Sequence, residues 1–255
     1  MSGNAFRRTT RILSASLLLV VLVSAGPAFA GSETVETARL LAILLDAGRV
    51  TIAENQGLLN DPGKGEKGFT PDVFKKQALA IFHARAKLER VAGDHLARVK
   101  VPALAKRLLP HLMDAMTSTV ADYQPVINRP DMGFKGFMPT IFGVQAAAKF
   151  RDRTGVTMKQ TRYPPRNPRN APDEIELKAL AKFADPSYPR LGEAILSAPV
   201  DGGRAVRVML PLFYGKDCLW CHGAPKGEKD ITGYMKEGAK EGDLGGAISV
   251  QLIVP

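Results

Sequence analysis

Two cysteines and four histidines are the whole stock of thiol and imidazole ligands in this 255-residue chain, and three of those six groups stand together. Cys218, Cys221 and His222 lie in Tyr214-Gly-Lys-Asp-Cys-Leu-Trp-Cys-His-Gly223, a C-x-x-C-H motif. Thiols at this spacing can add to the two vinyl groups on one edge of a haem. The residue that follows then offers an imidazole nitrogen to the iron from the same side. A structural zinc site needs about four ligands, and no second C-x-x-C or closely spaced histidine pair exists. A thioredoxin-like dithiol sits in a strand-helix-strand context that this region lacks. A lone disulfide would have no use for His222. The motif therefore reads as one covalently attached haem c, with Cys218 and Cys221 as the thioether positions and His222 as the iron ligand.

Thioether attachment takes place outside the bacterial cytoplasm, and the N-terminus agrees with export. Arg7, Arg8 and Arg11 form a basic region, Leu13 to Val23 is apolar, and Ala28-Phe29-Ala30 fits an A-x-A cleavage site. The apolar stretch is too short to span a bilayer comfortably. Thr9-Thr10 after the arginine pair favours Sec export over the twin-arginine route, and an uncleaved anchor is the rival reading. Residues 1–30 are thus expected to be a signal peptide and the location to be the periplasm. Cleavage leaves 225 of the 255 residues and, with three arginines lost from a formal +10, a charge of +7.

The composition, 45% hydrophobic and 24% charged, is that of an ordinary globular protein and excludes disorder, collagen and coiled coil. The basic balance is no sign of nucleic acid, since an exported chain meets little of it and no interleaved arginine and aromatic stripe is present. An anionic membrane surface or an acidic redox partner suits it better.

The elements that must carry the motif include a duplication. Shifted by 68 residues, 51–85 matches 119–153 at sixteen of 35 positions, where unrelated segments would share about two. Asn60/Asn128, Lys67/Lys135, Gly68/Gly136, Phe69/Phe137, Pro71/Pro139 and Phe74/Phe142 are among the pairs. Each copy reads as a helical hairpin: a helix ended by Asn-x-Pro, a Gly-rich turn, and a second helix opened by a proline whose missing N–H costs nothing there. The expected helices are 33–58, 71–91, 103–126 with a break at Pro110, and 139–153. Phe69 and Phe137 are placed to staple the two helix starts. The loop at 61–68 lacks a phosphate-binding G-x-x-x-x-G-K-[ST] pattern and reads as a turn.

From Gly155 the periodicity changes to that of strands, expected near 156–162, 193–198, 205–213 and 246–254, with a short helix over 172–183. The expected fold class is α+β: a helical region at 31–153 built on the repeat, and an antiparallel sheet at 154–255 that receives the haem loop.

A family resemblance rests on Asn55-Gln56 with Asn60-Asp-Pro62, Lys67-Gly-Phe69, Phe134-Lys-Gly-Phe137, Arg166-Asn-Pro-Arg-Asn-Ala-Pro172, Cys218-Leu-Trp-Cys-His-Gly223 and the stretch Tyr234 to Val250. Together they resemble the DUF3365, or Tll0287-like, family over most of the chain after residue 30. The resemblance implies a PAS-like α+β domain with one c-type haem, found alone after a signal peptide or as the outer sensor of membrane receptors. It carries Cys218 and Cys221 over to the thioether positions and His222 to the proximal ligand. Some relatives offer a helical cysteine as second axial ligand, and the corresponding place here is near Thr140.

With no third cysteine, the second axial position is left to Met138, another histidine, or an open site. His83 is expected on the surface, outside a stripe of Val73, Gln77, Ile81, Ala84 and Leu88. His95 falls in an interhelical turn and His111 follows Pro110. Arg162, Arg166, Asn167 and Asn170 lie where they could anchor haem propionates, which are carboxylates; the alternative is that Asn-Pro and Asn-Ala-Pro simply set turns. The run Lys236 to Asp243 alternates in sign and reads as a solvated loop. The expected function is single-electron transfer or redox sensing, through a redox partner protein or a membrane signalling protein. Sensing of a small gas is the alternative, and no acid/base constellation points to an enzyme.

Overall fold

In the computed structural model the described residues are 27–88, 96, 100–190 and 194–254, so most of the expected signal peptide and His95 lie outside them. Helix α1 (Pro27–Glu54) is the axis of the molecule. Leu40 to Leu45 are all fully buried, so the helix has no solvent face over that stretch and must be enclosed on every side. Helices α3 (Pro71–Ala86), α4 (Ala103–Ile127) and α5 (Pro139–Thr154) cover one side of it, with α2 (Gln56–Leu59) a single turn after it. The sheet covers the other side. At Gly48 an added Cβ would stand 2.7 Å from the Met116 side chain and 2.9 Å from that of Phe142, so the close crossing with α4 and α5 needs glycine there.

Strands β1 (Thr157–Thr161), β2 (Leu196–Val200), β3 (Ala205–Phe213) and β4 (Leu244–Ile253) form an antiparallel sheet in the order β1-β4-β3-β2. Side chains alternate across it as the pleat requires. Val206, Val208, Leu210, Ile248, Val250 and Leu252 join the core around α1, while Met209 and Ala247 meet Ala179, Leu180 and Phe183 of α6 (Glu174–Ala184) on the opposite face. Asp173 and Glu176 close a capping box at the start of α6. The expected α+β class is thus observed, with sheet and helices segregated. No described helix is long and apolar enough to cross a membrane.

The duplication is visible as reciprocal bonding. Gln56 Nε2 donates to the Phe137 carbonyl and Gln124 Nε2 to the Phe69 carbonyl, both at 2.9 Å. The Lys67 amide donates to Asn128 Oδ1 (3.1 Å) and the Lys135 amide to Asn60 Oδ1 (2.9 Å). Residue i meeting j while the copy of i meets the copy of j is the signature of a two-fold relation. The buried Lys67 and Lys135 ammonium groups donate to carbonyls six and three residues earlier, Asp61 and Lys64 in one loop, Arg129 and Met132 in the other. Phe69 packs edge-on against Phe74 and Phe137 against Phe142, which are the staple contacts.

Three expectations about the helices fail, the first being the helix over 71–91: α3 ends at Ala86, with Lys87 in the left-handed region. Helix α4 runs unbroken through Pro110, because Leu109, Leu112 and Met113 on either side are buried. That packing offsets a penalty of about 3 kcal/mol for an interior proline. His83 is buried, not on the surface, whereas Val73 and Ala84 are exposed. The Phe69–Phe74 staple sets the rotation of α3, so that Phe74, Ala78 and Phe82 face inward and carry His83 with them.

Asn60→Ala and Asn128→Ala each remove the acceptor of one half-buried amide at equivalent places. Each is expected to cost about 1–3 kcal/mol, and urea unfolding should show the two losses to be similar.

Candidate functional site

The site is built where β3 hands over to β4. After Phe213 the chain makes a 3-10 turn over Lys216–Cys218 and then the short helix α7 (Leu219–His222). Helical spacing sets Cys218, Cys221 and His222 on one side of this turn, three and four residues apart. No disulfide joins the two cysteines; both are half-buried, and burial pushes both thiols above their ordinary pKa. The returning chain is pinned to the motif by its backbone. The Ala239 amide donates to the His222 carbonyl (2.8 Å) and the Gly238 amide to the Gly223 carbonyl (3.2 Å). Gly238 has φ +75°, and an added Cβ would meet Lys226 at 2.9 Å, so this approach requires glycine.

That return brings Glu237 to His222. Glu237 Oε2 lies 2.9 Å from His222 Nδ1, the Tyr214 hydroxyl lies 3.2 Å from the same nitrogen, and the Tyr214 ring stacks on the imidazole with centroids 4.6 Å apart. Burial opposes ionisation of Glu237, but hydrogen bonds from Arg166 and His222 and the charge of Arg162 outweigh it and bring its pKa down to about 2. Burial lowers the pKa of His222, and the bond to Glu237 only partly offsets it. At neutral pH the pair is an ionised carboxylate and a neutral imidazole. An ionised carboxylate only accepts, so the single ring proton sits on Nδ1 and leaves the lone pair on Nε2. That is the preparation a metal-binding histidine needs.

Arg166 ties the loop together. It donates to both oxygens of Glu237 (Nε 2.6 Å, Nη2 2.8 Å), to Asp230 Oδ2 (2.8 Å) and to the carbonyls of Cys221 (2.8 Å) and Met235 (3.2 Å). Its guanidinium also lies over the Tyr234 ring. Arg162 donates to Glu237 Oε1 at 2.7 Å. The two arginines expected to hold propionates are therefore engaged by the chain's own carboxylates. Asn167 caps the 3-10 turn Pro168–Asn170, and the Asn170 carbonyl accepts from Thr161. The run Lys236 to Asp243 is not a plain solvated loop, because Glu237 within it hydrogen-bonds His222. The signal that could have found Glu237 is the pair of glycines, Gly238 and Gly242, both at positive φ in an ordered return.

Beside Cys218 a cleft of about 420 Å³ opens between the C-terminal part of α1 and the end of β3. Asp46, Glu54, Arg85, Arg190, Phe213 and Cys218 are among the residues lining it. Asp46, nearly buried, is held by Arg49 (2.5 Å) and Arg85 (2.6 Å). Among the described residues, no imidazole or thioether lines the cleft. Met138 is half-buried at the N-cap of α5, His83 packs beside Phe82, and His111 is exposed on α4. Thr140 is exposed, and its carbonyl accepts from Gln160. Of the motif only Cys218 borders this cleft, while Cys221 and His222 do not; two unpaired thiols and an imidazole with its Nδ1 proton committed fit the thioether and ligand positions of a haem attached through this motif.

The Tll0287-like family model matches residues 32–252, nearly the whole described chain. The chain belongs to the Tll0287-like family. A crystal structure of the cyanobacterial heme-protein Tll0287 aligns at a TM-score of 0.42 and 16% identity, covering 60% of this chain and 97% of that one. No curated protein matches. Within this family fold, Arg166 is the residue whose loss should loosen the motif most. Its partner Asp230 has a fully buried side chain. Arg166→Met is expected to cost about 1.5–3 kcal/mol by removing the charge-assisted bonds to Asp230 and Glu237, while Thr232 and Tyr234 still donate to Asp230 Oδ1. Hydrogen exchange should quicken over 222–239 and leave α1 unchanged.

Proposed function

We propose that the chain is an exported monohaem c protein that passes single electrons, or reports redox state, to a partner. The observation that carries this reading is the pairing of two unpaired thiols with a histidine whose Nδ1 proton is already taken by Glu237. Cys218 and Cys221 would hold the haem by thioethers and His222 Nε2 would face the iron. The group supplies reversible one-electron exchange at that iron. Glu237 and Tyr214 orient the imidazole, and Arg166 orders the loop around it. Trp220, between the two cysteines, is 82% exposed, so the attachment segment lies at the surface, where a redox partner protein or a membrane signalling protein can approach it. The signal-like N-terminus supports the periplasm as the place of attachment.

A second reading, sensing of a small gas, is favoured by one observation: among the described residues the cleft beside Cys218 offers no imidazole or thioether as a second protein ligand. An open position would admit carbon monoxide or nitric oxide.

Produced in a host with cytochrome c maturation, the protein should stain for haem after denaturing electrophoresis, and Cys218→Ser with Cys221→Ser should abolish the stain. An unmodified mass for the wild-type chain would overturn the haem reading. Ferrous spectra with and without carbon monoxide then separate the two roles: an unresponsive low-spin spectrum supports transfer, and a spectrum shifted by the gas supports sensing.

A further inference from the structure

Resting on the haem reading, we propose that Glu237, clamped by Arg166 and Arg162, is a positioning residue that fixes His222 as an electron-rich iron ligand and so sets the reduction potential of the site low. A carboxylate has about four lone-pair sites, and all four of Glu237 are used. Oε1 accepts from Arg166 Nε and Arg162 Nη1, and Oε2 accepts from Arg166 Nη2 and His222 Nδ1. The group has no acceptor capacity left with which to turn away from the ring. The backbone holds it as firmly, since the residues following it pair with the carbonyls of His222 and Gly223 themselves. Tyr214, stacked on the imidazole, fixes the ring plane.

An anionic acceptor on Nδ1–H raises the basicity of the other ring nitrogen, and partners of this kind tune metal sites by about ten- to a hundred-fold. A more basic ligand favours the ferric state and lowers the potential. The guanidiniums draw density from the same carboxylate, so they temper the effect while holding the geometry. Glu237 thus acts through His222 and needs no contact with the haem.

The test separates the hydrogen bond from the charge. In the full chain without haem, nitrogen-15 spectra of His222 at mildly alkaline pH should show the Nδ1–H tautomer in the wild type. Glu237→Asp, which keeps the charge but is one methylene shorter, should shift the population toward Nε2–H. In the haem-loaded chain Glu237→Gln should change the oxidised-to-reduced ratio about tenfold toward the reduced form, about 59 mV for one electron. Glu237→Asp should move the same way despite its unchanged charge. A wild-type His222 found mainly as Nε2–H would overturn the proposal, as would a Glu237→Asp variant with the wild-type tautomer and potential. An unstained wild-type protein would instead overturn the haem reading, and the tautomer measurement on the haem-free chain would still decide the role of Glu237.

Discussion

Everything in this fold is arranged around a helix that cannot face water. From Leu40 to Leu45 every side chain of α1 is apolar and fully buried, so a single amphipathic partner would leave most of the helix exposed. One wall comes from the helices of the duplicated hairpins and the other from β3 and β4. Burying a Leu or Ile side chain is worth about 1.5–3 kcal/mol, so the stretch supplies a large share of the apolar driving force. The same helix runs on with one face, Ala47 and Ile52, still in the core. Its other face carries Asp46, Val50, Ala53 and Glu54 to the cleft beside Cys218, so the element that organises the core also walls the candidate site.

The duplication solves a problem of loop order. Each hairpin loop is rich in glycine, and fixing one residue costs about 1–2 kcal/mol in backbone entropy. Neither loop carries a sheet edge or a covalent link to stiffen it. Each is braced instead by a lysine ammonium reaching its own carbonyls, and by the asparagine and glutamine of the other copy. Gly68 and Gly136 take positive φ at matching places, which lets Phe69 and Phe137 turn inward and set the rotation of α3 and α5.

How far this could be read from residue order depends on the range of the interaction involved. The strand over 205–213, the proline-opened helices and the staple phenylalanines follow from local patterns, and the structure places them where those patterns say. His83 could not be placed that way. Its exposure depends on how far α3 is rotated about its axis, and that is set by a contact with the loop before the helix. Pro110 misled because the helix penalty is local while the burial that overrides it is tertiary. In the candidate site, Cys218, Cys221 and His222 are legible because their chemistry needs neighbours in sequence. Glu237 was hidden because it meets His222 fifteen residues away, through a return path that alternating charges disguised as solvent-facing.

The same reasoning explains why the motif's surroundings are ionic. The segment 223–243 has only one isolated bridge, between Lys229 and Met235, and little apolar burial to order it. A turn that must hold two thiols and an imidazole in register cannot be left to fluctuate. Arg166 supplies order from outside the loop, from the segment after β1, by joining the carbonyl of Cys221, the carboxylate of Asp230 and both oxygens of Glu237 in one planar group. A hydrophobic plug could fill the same space, but it would leave the Cys221 carbonyl without this donor and the Nδ1 proton of His222 without a defined acceptor. A guanidinium and a carboxylate meet both needs at once, which is why charge sits beside the one segment whose geometry must not drift.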